Sequence, residues 1–107
     1  MNIVPIFLPT RLHEAFFRYC MSVLRPGLHN VLETGSQRIF PGATSLEYLR
    51  EGWAHYLAAN DAVARTVFRL YRDGDVAWVN DFQLSMMPRA LVRACVEAYG
   101  RRPPQLF

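Results

Sequence analysis

The sequence predicts an α/β fold in which helices flank an incomplete parallel β-sheet. Residues 76–79 form a short, continuous apolar run, which is typical of a strand buried on both faces. Long amphipathic patterns with helical spacing precede and follow this run. Because parallel sheets need several strands with helices on both faces, the two or three strands predicted here would form only part of one.

The first half of the chain begins with residues 2–8, an apolar run that is either a strand or an extended lead-in. A helix is predicted at about 10–25, with Thr10 as its N-cap. Pro26 is expected to end this helix, because proline cannot donate a backbone hydrogen bond. Residues 34–43 are rich in glycine and proline and are predicted to form a loop.

The strongest helical signal covers about 45–72. Thr44 and Glu47 have the spacing of a capping box, in which each side chain satisfies a backbone donor of the first turn. Gly74 suits a left-handed C-terminal position. We therefore expect one long helix between these signals, with a break near Gly52 or Asn60 left open.

The last third of the chain is predicted to contain a strand at 76–80 and a helix at about 86–99. Pro88 lies near the first turn of that helix, and Gly100 ends it. Residues 105–107 look like the opening of another strand. A strand, helix, strand order requires a right-handed parallel crossover.

The composition excludes several functions. The formal net charge is +3, and all twelve basic residues are Arg, which excludes Schiff-base or phosphate-loop lysines within the chain. Cys20 and Cys95 are widely separated and read as buried thiols. The three histidines are too scattered for a metal site, and no cofactor is expected. Without a recognisable signal peptide or membrane span, the expected location is cytoplasmic.

Polar residues follow the predicted strand directly. Asn80, Asp81 and Gln83 would lie at its carboxyl end, where open parallel sheets bind ligands. A carboxylate at position 81 can accept hydrogen bonds from sugar hydroxyls. Alternatively, Asp81 caps the following helix or hydrogen-bonds to its own turn.

Three blocks of sequence resemble one known family. Residues 23–29 read Val-Leu-Arg-Pro-Gly-Leu-His, residues 53–56 read Trp-Ala-His-Tyr with Asn60 beyond, and residues 74–88 read Gly-Asp-Val-Ala-Trp-Val-Asn-Asp-Phe-Gln-Leu-Ser-Met-Met-Pro. In this order, they resemble motifs in the N-terminal domain of trehalose-6-phosphate synthases. These are retaining glycosyltransferases with two Rossmann-like domains facing a cleft (the GT-B type).

The resemblance implies that residues 1–107 are a fragment of the acceptor-binding domain. Complete members transfer glucose from UDP-glucose or another nucleotide sugar to glucose 6-phosphate in trehalose biosynthesis. By resemblance, Asp81 hydrogen-bonds a sugar and Trp53 helps to form the acceptor-phosphate pocket. Asn30 stands where the family has a phosphate-contacting tyrosine. For Trp53, a purely structural role in the core is the alternative. The partners are then a sugar phosphate and a nucleotide sugar, with no nucleic acid and no membrane, and homo-oligomerisation stays open.

Departures from the family pattern favour an inactive chain. Arg25 replaces a tryptophan, and Asn80 and Gln83 replace two histidines. The glycine-rich loop, the catalytic histidine and the nucleotide-sugar domain have no counterpart here, so no catalytic residue is expected in this chain. A non-catalytic regulatory or scaffolding homologue is therefore the second hypothesis. The third and weakest is an arginine-rich adaptor for an acidic partner or nucleic acid.

Overall fold

The structure is a computed structural model that describes residues 2–29 and 45–100. Four α-helices, a π-helical turn and a 3₁₀ turn account for the regular structure of these residues. The longest helix runs through the centre. The first helical run packs on its N-terminal half, and the last helix packs on its C-terminal half.

The first helical run has three parts. They are α1 (Thr10–Tyr19), the π-helical turn (Cys20–Leu24) and α2 (Arg25–Leu28). The prediction that Pro26 ends the helix is wrong. Pro26 lies just after the π-helical turn, in the first turn of α2, where a missing N–H costs little. Thr10 is not the N-cap either, because Pro9 holds that position and no side chain caps α1.

The central helix, α3, spans Leu46–Leu70. Its N-cap is Ser45, whose Oγ accepts a hydrogen bond of 3.1 Å from the backbone N of Tyr48. The predicted cap, Thr44, lies outside the described residues. Beyond the helix, Gly74 has a φ of 95° within the turn at residues 72–75. A left-handed glycine therefore does follow the helix, but four residues after its end.

The last two elements are a 3₁₀ turn (Phe82–Leu84) and helix α4 (Met87–Tyr99). Pro88 occupies the first turn of α4. Gly100 follows the helix in the left-handed conformation, with a φ of 69°, and its N–H donates to the carbonyl of Val96 at 2.8 Å.

The predicted Rossmann-like parallel sheet is wrong for the described part of the chain, which is helical. Residues 76–80 are extended, but they form no strand, and Ala77 has only a single β-bridge. Val76 is 54% exposed and Trp78 is 82% exposed, so this segment is not buried on both faces. The GT-B arrangement expected from the resemblance is likewise not seen in these residues.

The physical reason lies in the packing of residues 76–79. Ala77 and Val79 pack against the α3–α4 core, whereas the side chains of Val76 and Trp78 face outward. This alternation is that of a half-buried extended segment. A run of four apolar residues indicates an extended backbone, but it cannot show whether the second face is covered.

Within the described residues, two hydrophobic clusters form the core. The aliphatic cluster lies between α3 and α4 and is built on Ala64, Met87, Leu91 and Cys95. The aromatic cluster lies between the first helical run and α3 and is built on Tyr19, Cys20 and Tyr56. Each half of α3 therefore packs against a different partner, and the turn at residues 81–86 lies where the two clusters meet.

Candidate functional site

Asp81 has an unusual backbone conformation. Its φ is 71° and its ψ is 159°, a region that is populated almost entirely by glycine. Within residues 2–29 and 45–100, no other residue except glycine has a positive φ. Such a conformation costs on the order of 1–3 kcal/mol and persists only where the surroundings enforce it, often at functional sites.

The Asp81 carboxylate is exposed and partly engaged by its own turn. Oδ1 accepts a hydrogen bond of 2.7 Å from the backbone N of Phe82. With its amide oriented to donate, the Gln83 side-chain nitrogen lies 3.1 Å from Oδ2 and 3.2 Å from Oδ1. Of the two alternatives raised by the sequence, hydrogen bonding of Asp81 to its own turn is therefore realised, whereas α4 has Met86 at its N-cap position and no side-chain cap. Because a carboxylate has about four acceptor positions, capacity for further donors remains.

Tyr56 connects α3 to this turn. The residue is 1% exposed, and its hydroxyl donates to the carbonyl oxygen of Phe82 at 2.7 Å. The same hydroxyl lies 2.6 Å from Ser85 Oγ. The buried phenol thus holds the backbone immediately after Asp81.

Asn60, one helical turn further along α3, makes the second connection. It is 1% exposed, and its amide nitrogen donates to the carbonyl oxygens of Tyr56 at 2.9 Å and Gln83 at 3.0 Å. Its side-chain oxygen accepts from the backbone N of Met86 at 3.2 Å. All three contacts satisfy polar groups that would otherwise be buried at a cost.

Trp53 lies at the rim of the aromatic cluster. It is 39% exposed, and its ring stacks on Tyr56 with centroids 5.3 Å apart and an interplanar angle of 27°. The rings of Trp53 and Tyr19 meet edge to face, with centroids 6.5 Å apart. One part of the indole is therefore packed, and the other part is available to a ligand as an apolar surface.

Another residue from the matched blocks lies close to Asp81. The exposed ring of His29, just after α2, meets the Phe82 ring edge to face at 5.6 Å. Chains of direct contacts through Tyr56 and Phe82 therefore link Trp53, His29 and the Asp81 turn. We call Trp53, His29 and Asp81 with these two linking rings the candidate site.

Other residues singled out by the sequence contribute less to this geometry. Asn30 lies outside the described residues. Asn80 and Arg25 are exposed, and Arg25 follows directly after the π-helical turn. In the described part of the chain, no group of three His, Cys, Asp or Glu side chains could hold a metal ion.

An arginine-lined groove between α3 and α4 was not anticipated from the sequence. It encloses about 420 Å³, and its charged lining residues are Asp61, Arg65, Arg89 and Arg93. Asp61 pairs with Arg65 and, across the two helices, with Arg93 at 2.6 Å. The sequence shows that Asp61 and Arg65 are four residues apart, as are Arg89 and Arg93, so that each pair lies on one helix face. Only the packing of α3 on α4 brings the two pairs together.

Comparisons with known proteins support the resemblance. The model for glycosyltransferase family 20 matches residues 1–99. The chain is 30% identical to an alpha,alpha-trehalose-phosphate synthase [UDP-forming] of Pichia angusta, over 84% of this chain and 17% of that protein. It is 29% identical to synthase 2 of Aspergillus fumigatus, over 94% of this chain and 19% of that protein.

A trehalose-phosphatase of Saccharomyces cerevisiae is 26% identical over 84% of the chain and 9% of its own length. This chain thus spans less than a fifth of the length of these relatives. No solved structure gives a significant match. Across the described residues, no helix is long and apolar enough to cross a membrane. On the match over residues 1–99, the chain belongs to glycosyltransferase family 20.

Proposed function

We propose that this chain forms part of the acceptor-binding region of a glycosyltransferase that transfers glucose from UDP-glucose to glucose 6-phosphate in trehalose biosynthesis. Membership of glycosyltransferase family 20 and the names of the synthase relatives support this reaction. The local observation that carries it is the strained backbone of Asp81, which leads into a turn held by two buried side chains, one of which stacks on Trp53.

Each proposed contact suits the chemistry of its residue. The exposed Asp81 carboxylate would accept hydrogen bonds from sugar hydroxyls, in addition to its contacts with Phe82 and Gln83. Trp53 would offer a flat apolar wall and one N–H donor to the acceptor. Asn30 would donate its amide hydrogens to the phosphate. These roles bind and orient the acceptor.

None of these residues is assigned a bond-breaking step. Catalysis of this reaction requires groups that stabilise the departing diphosphate in a site closed to water. We assign that work to other parts of the complete enzyme, and we expect the 107-residue chain alone to give no glucosyl transfer.

Calorimetric titration of glucose 6-phosphate into the chain tests acceptor binding. Asp81→Asn is the matched variant, because it keeps the size of the side chain and an oxygen that can accept from Phe82. A hydrogen bond to a charged group is worth about 1.5–3 kcal/mol, so we expect the affinity to fall roughly tenfold or more. Equal affinities of the two proteins would contradict the proposed role of Asp81.

A second candidate function is a non-catalytic homologue that does not bind the acceptor. The contact of the Gln83 amide with both oxygens of Asp81 favours it, because this internal donor competes with a ligand. The absence of binding heat at millimolar glucose 6-phosphate, for the native chain and for Gln83→Ala, would support this candidate. Binding that appears only in Gln83→Ala would show that the native Gln83, which stands where the family has a histidine, closes a site that still exists.

A further inference from the structure

We infer that Tyr56 and Asn60 are positioning residues, which together hold Asp81 in its ligand-binding conformation and set its placement relative to Trp53. The importance of that conformation for a sugar ligand rests on the proposed function. The positioning itself rests on hydrogen bonds that are independent of any ligand.

The backbone of Asp81 is strained. A residue with a side chain keeps a φ of 71° and a ψ of 159° only where its neighbours prevent relaxation. The hydrogen bond between the Asp81 carboxylate and the Phe82 N–H cannot prevent relaxation, because it joins neighbouring residues that can move together. Contacts from another element are needed.

Tyr56 and Asn60 supply these contacts. They lie four residues apart and therefore on one face of α3. Between them they bond to the carbonyl oxygens of Phe82 and Gln83 and to the N–H of Met86. Three backbone groups in the five residues after Asp81 are thus fixed to a 25-residue helix. Rotation of the Asp81 backbone toward negative φ would displace at least the first of them.

Tyr56 also contacts Trp53. While its hydroxyl holds the turn, its ring stacks on Trp53. Tyr56 thereby sets the spacing between the Asp81 carboxylate, which can accept from sugar hydroxyls, and the Trp53 indole, which offers an apolar wall. Phenylalanine at this position would preserve the stacking but would lose the bonds to Phe82 and Ser85.

The test compares Tyr56→Phe with Tyr48→Phe. Tyr48 is the matched control, because it also lies on α3 and its hydroxyl also bonds to a serine at 2.8 Å, but that serine, Ser22, belongs to the π-helical turn and not to the Asp81 turn. The first readout is the intraresidue HN–Hα nuclear Overhauser effect of residue 81, which is strong when φ is positive. A general loss of packing would not selectively change this signal.

In Tyr56→Phe, we expect the signal at residue 81 to weaken and the glucose 6-phosphate affinity to fall about five- to tenfold, which is typical of a lost hydrogen bond. Tyr48→Phe should change neither. A signal in Tyr56→Phe as strong as in the native chain would overturn the inference, whatever the affinity. If the native chain binds no glucose 6-phosphate, the proposed function fails, while the signal at residue 81 still decides the positioning role.

A second variant covers the case in which Tyr56→Phe does not fold. Ser85→Ala removes an exposed partner of the Tyr56 hydroxyl, together with the 3.3 Å bond from Ser85 Oγ to the carbonyl oxygen of Phe82, without changing the core. We expect it to weaken the residue 81 signal in the same direction and to a smaller extent. An unchanged signal in Ser85→Ala, with Tyr56→Phe unfolded, would count against the inference.

Discussion

The two halves of α3 pack in different ways. Its C-terminal half contributes Ala64 to the aliphatic cluster, whose buried residues pack through apolar and sulfur-containing side chains. Its N-terminal half contributes Tyr56 to the aromatic cluster, beside the buried and hydrogen-bonded Asn60. The first arrangement packs apolar surfaces together, whereas the second also holds a polar turn through hydrogen bonds. The candidate site therefore lies at the half of α3 whose packing includes directional contacts, namely hydrogen bonds and stacked rings.

The largest effect should come from the aliphatic cluster. Leu91→Ala removes a side chain with no exposed surface from the α3–α4 contact. We expect it to lower the free energy of unfolding by about 2–5 kcal/mol, measured by urea denaturation. A loss below about 1 kcal/mol would mean that α4 does not pack on α3 as described.

The aromatic cluster should respond next to Gly52→Ala. A methyl group at this position would overlap the ring of Tyr19, because the first helical run approaches α3 closely at this glycine. Overpacking of this kind costs about 1–3 kcal/mol, and near-ultraviolet circular dichroism should show the disturbance of the tyrosines. The control is Gly27→Ala in α2, where an added methyl meets nothing within 4 Å. If both variants behave alike, the close approach at Gly52 is wrong.

The same cluster predicts a smaller loss of stability at alkaline pH. Burial raises the pKa of the Cys20 thiol from 9.0 to about 11. The folded chain therefore holds this proton more tightly than the unfolded chain, and the resulting stability, complete below pH 9, is lost as the pH rises toward 11. We expect a loss of roughly 1 kcal/mol at about pH 10.

Urea denaturation at several pH values, with Cys20→Ala for comparison, measures this contribution. The pH dependence should be weaker in the variant. It should not vanish, because burial also raises the pKa of Tyr19. An identical pH dependence in both proteins would show that the Cys20 thiol is not buried as described.

The sequence anticipates most of the helices because amphipathic spacing reports one buried face. It misjudges their ends at Thr10 and Pro26, since these depend on caps and on a π-helical turn that no spacing reveals. The strand at residues 76–80 fails because the sequence shows the apolar run but not what covers its outer face. The prediction that residues 76–79 are buried on both faces has no partner for the second face in the described residues.

For the candidate site, the sequence points to individual residues but not to the contacts between them. The matched blocks contain Asp81 and Trp53, whose side chains suit sugar binding. The block with Trp53 also contains Tyr56 and Asn60, for which the sequence indicates no role. Their hydrogen bonds to residues 82–86 join positions 23 to 29 residues apart along the chain. Only the packing of α3 against the turn can show such pairs.

The most direct test maps glucose 6-phosphate onto the native chain by nuclear magnetic resonance. An acceptor bound at the candidate site should shift the amides of residues 81–85 and the indole N–H of Trp53, and Asp81→Asn should reduce these shifts. The arginine-lined groove between α3 and α4 offers the phosphate a competing location. Shifts confined to Arg65, Arg89 and Arg93, unchanged by Asp81→Asn, would contradict acceptor binding at Asp81.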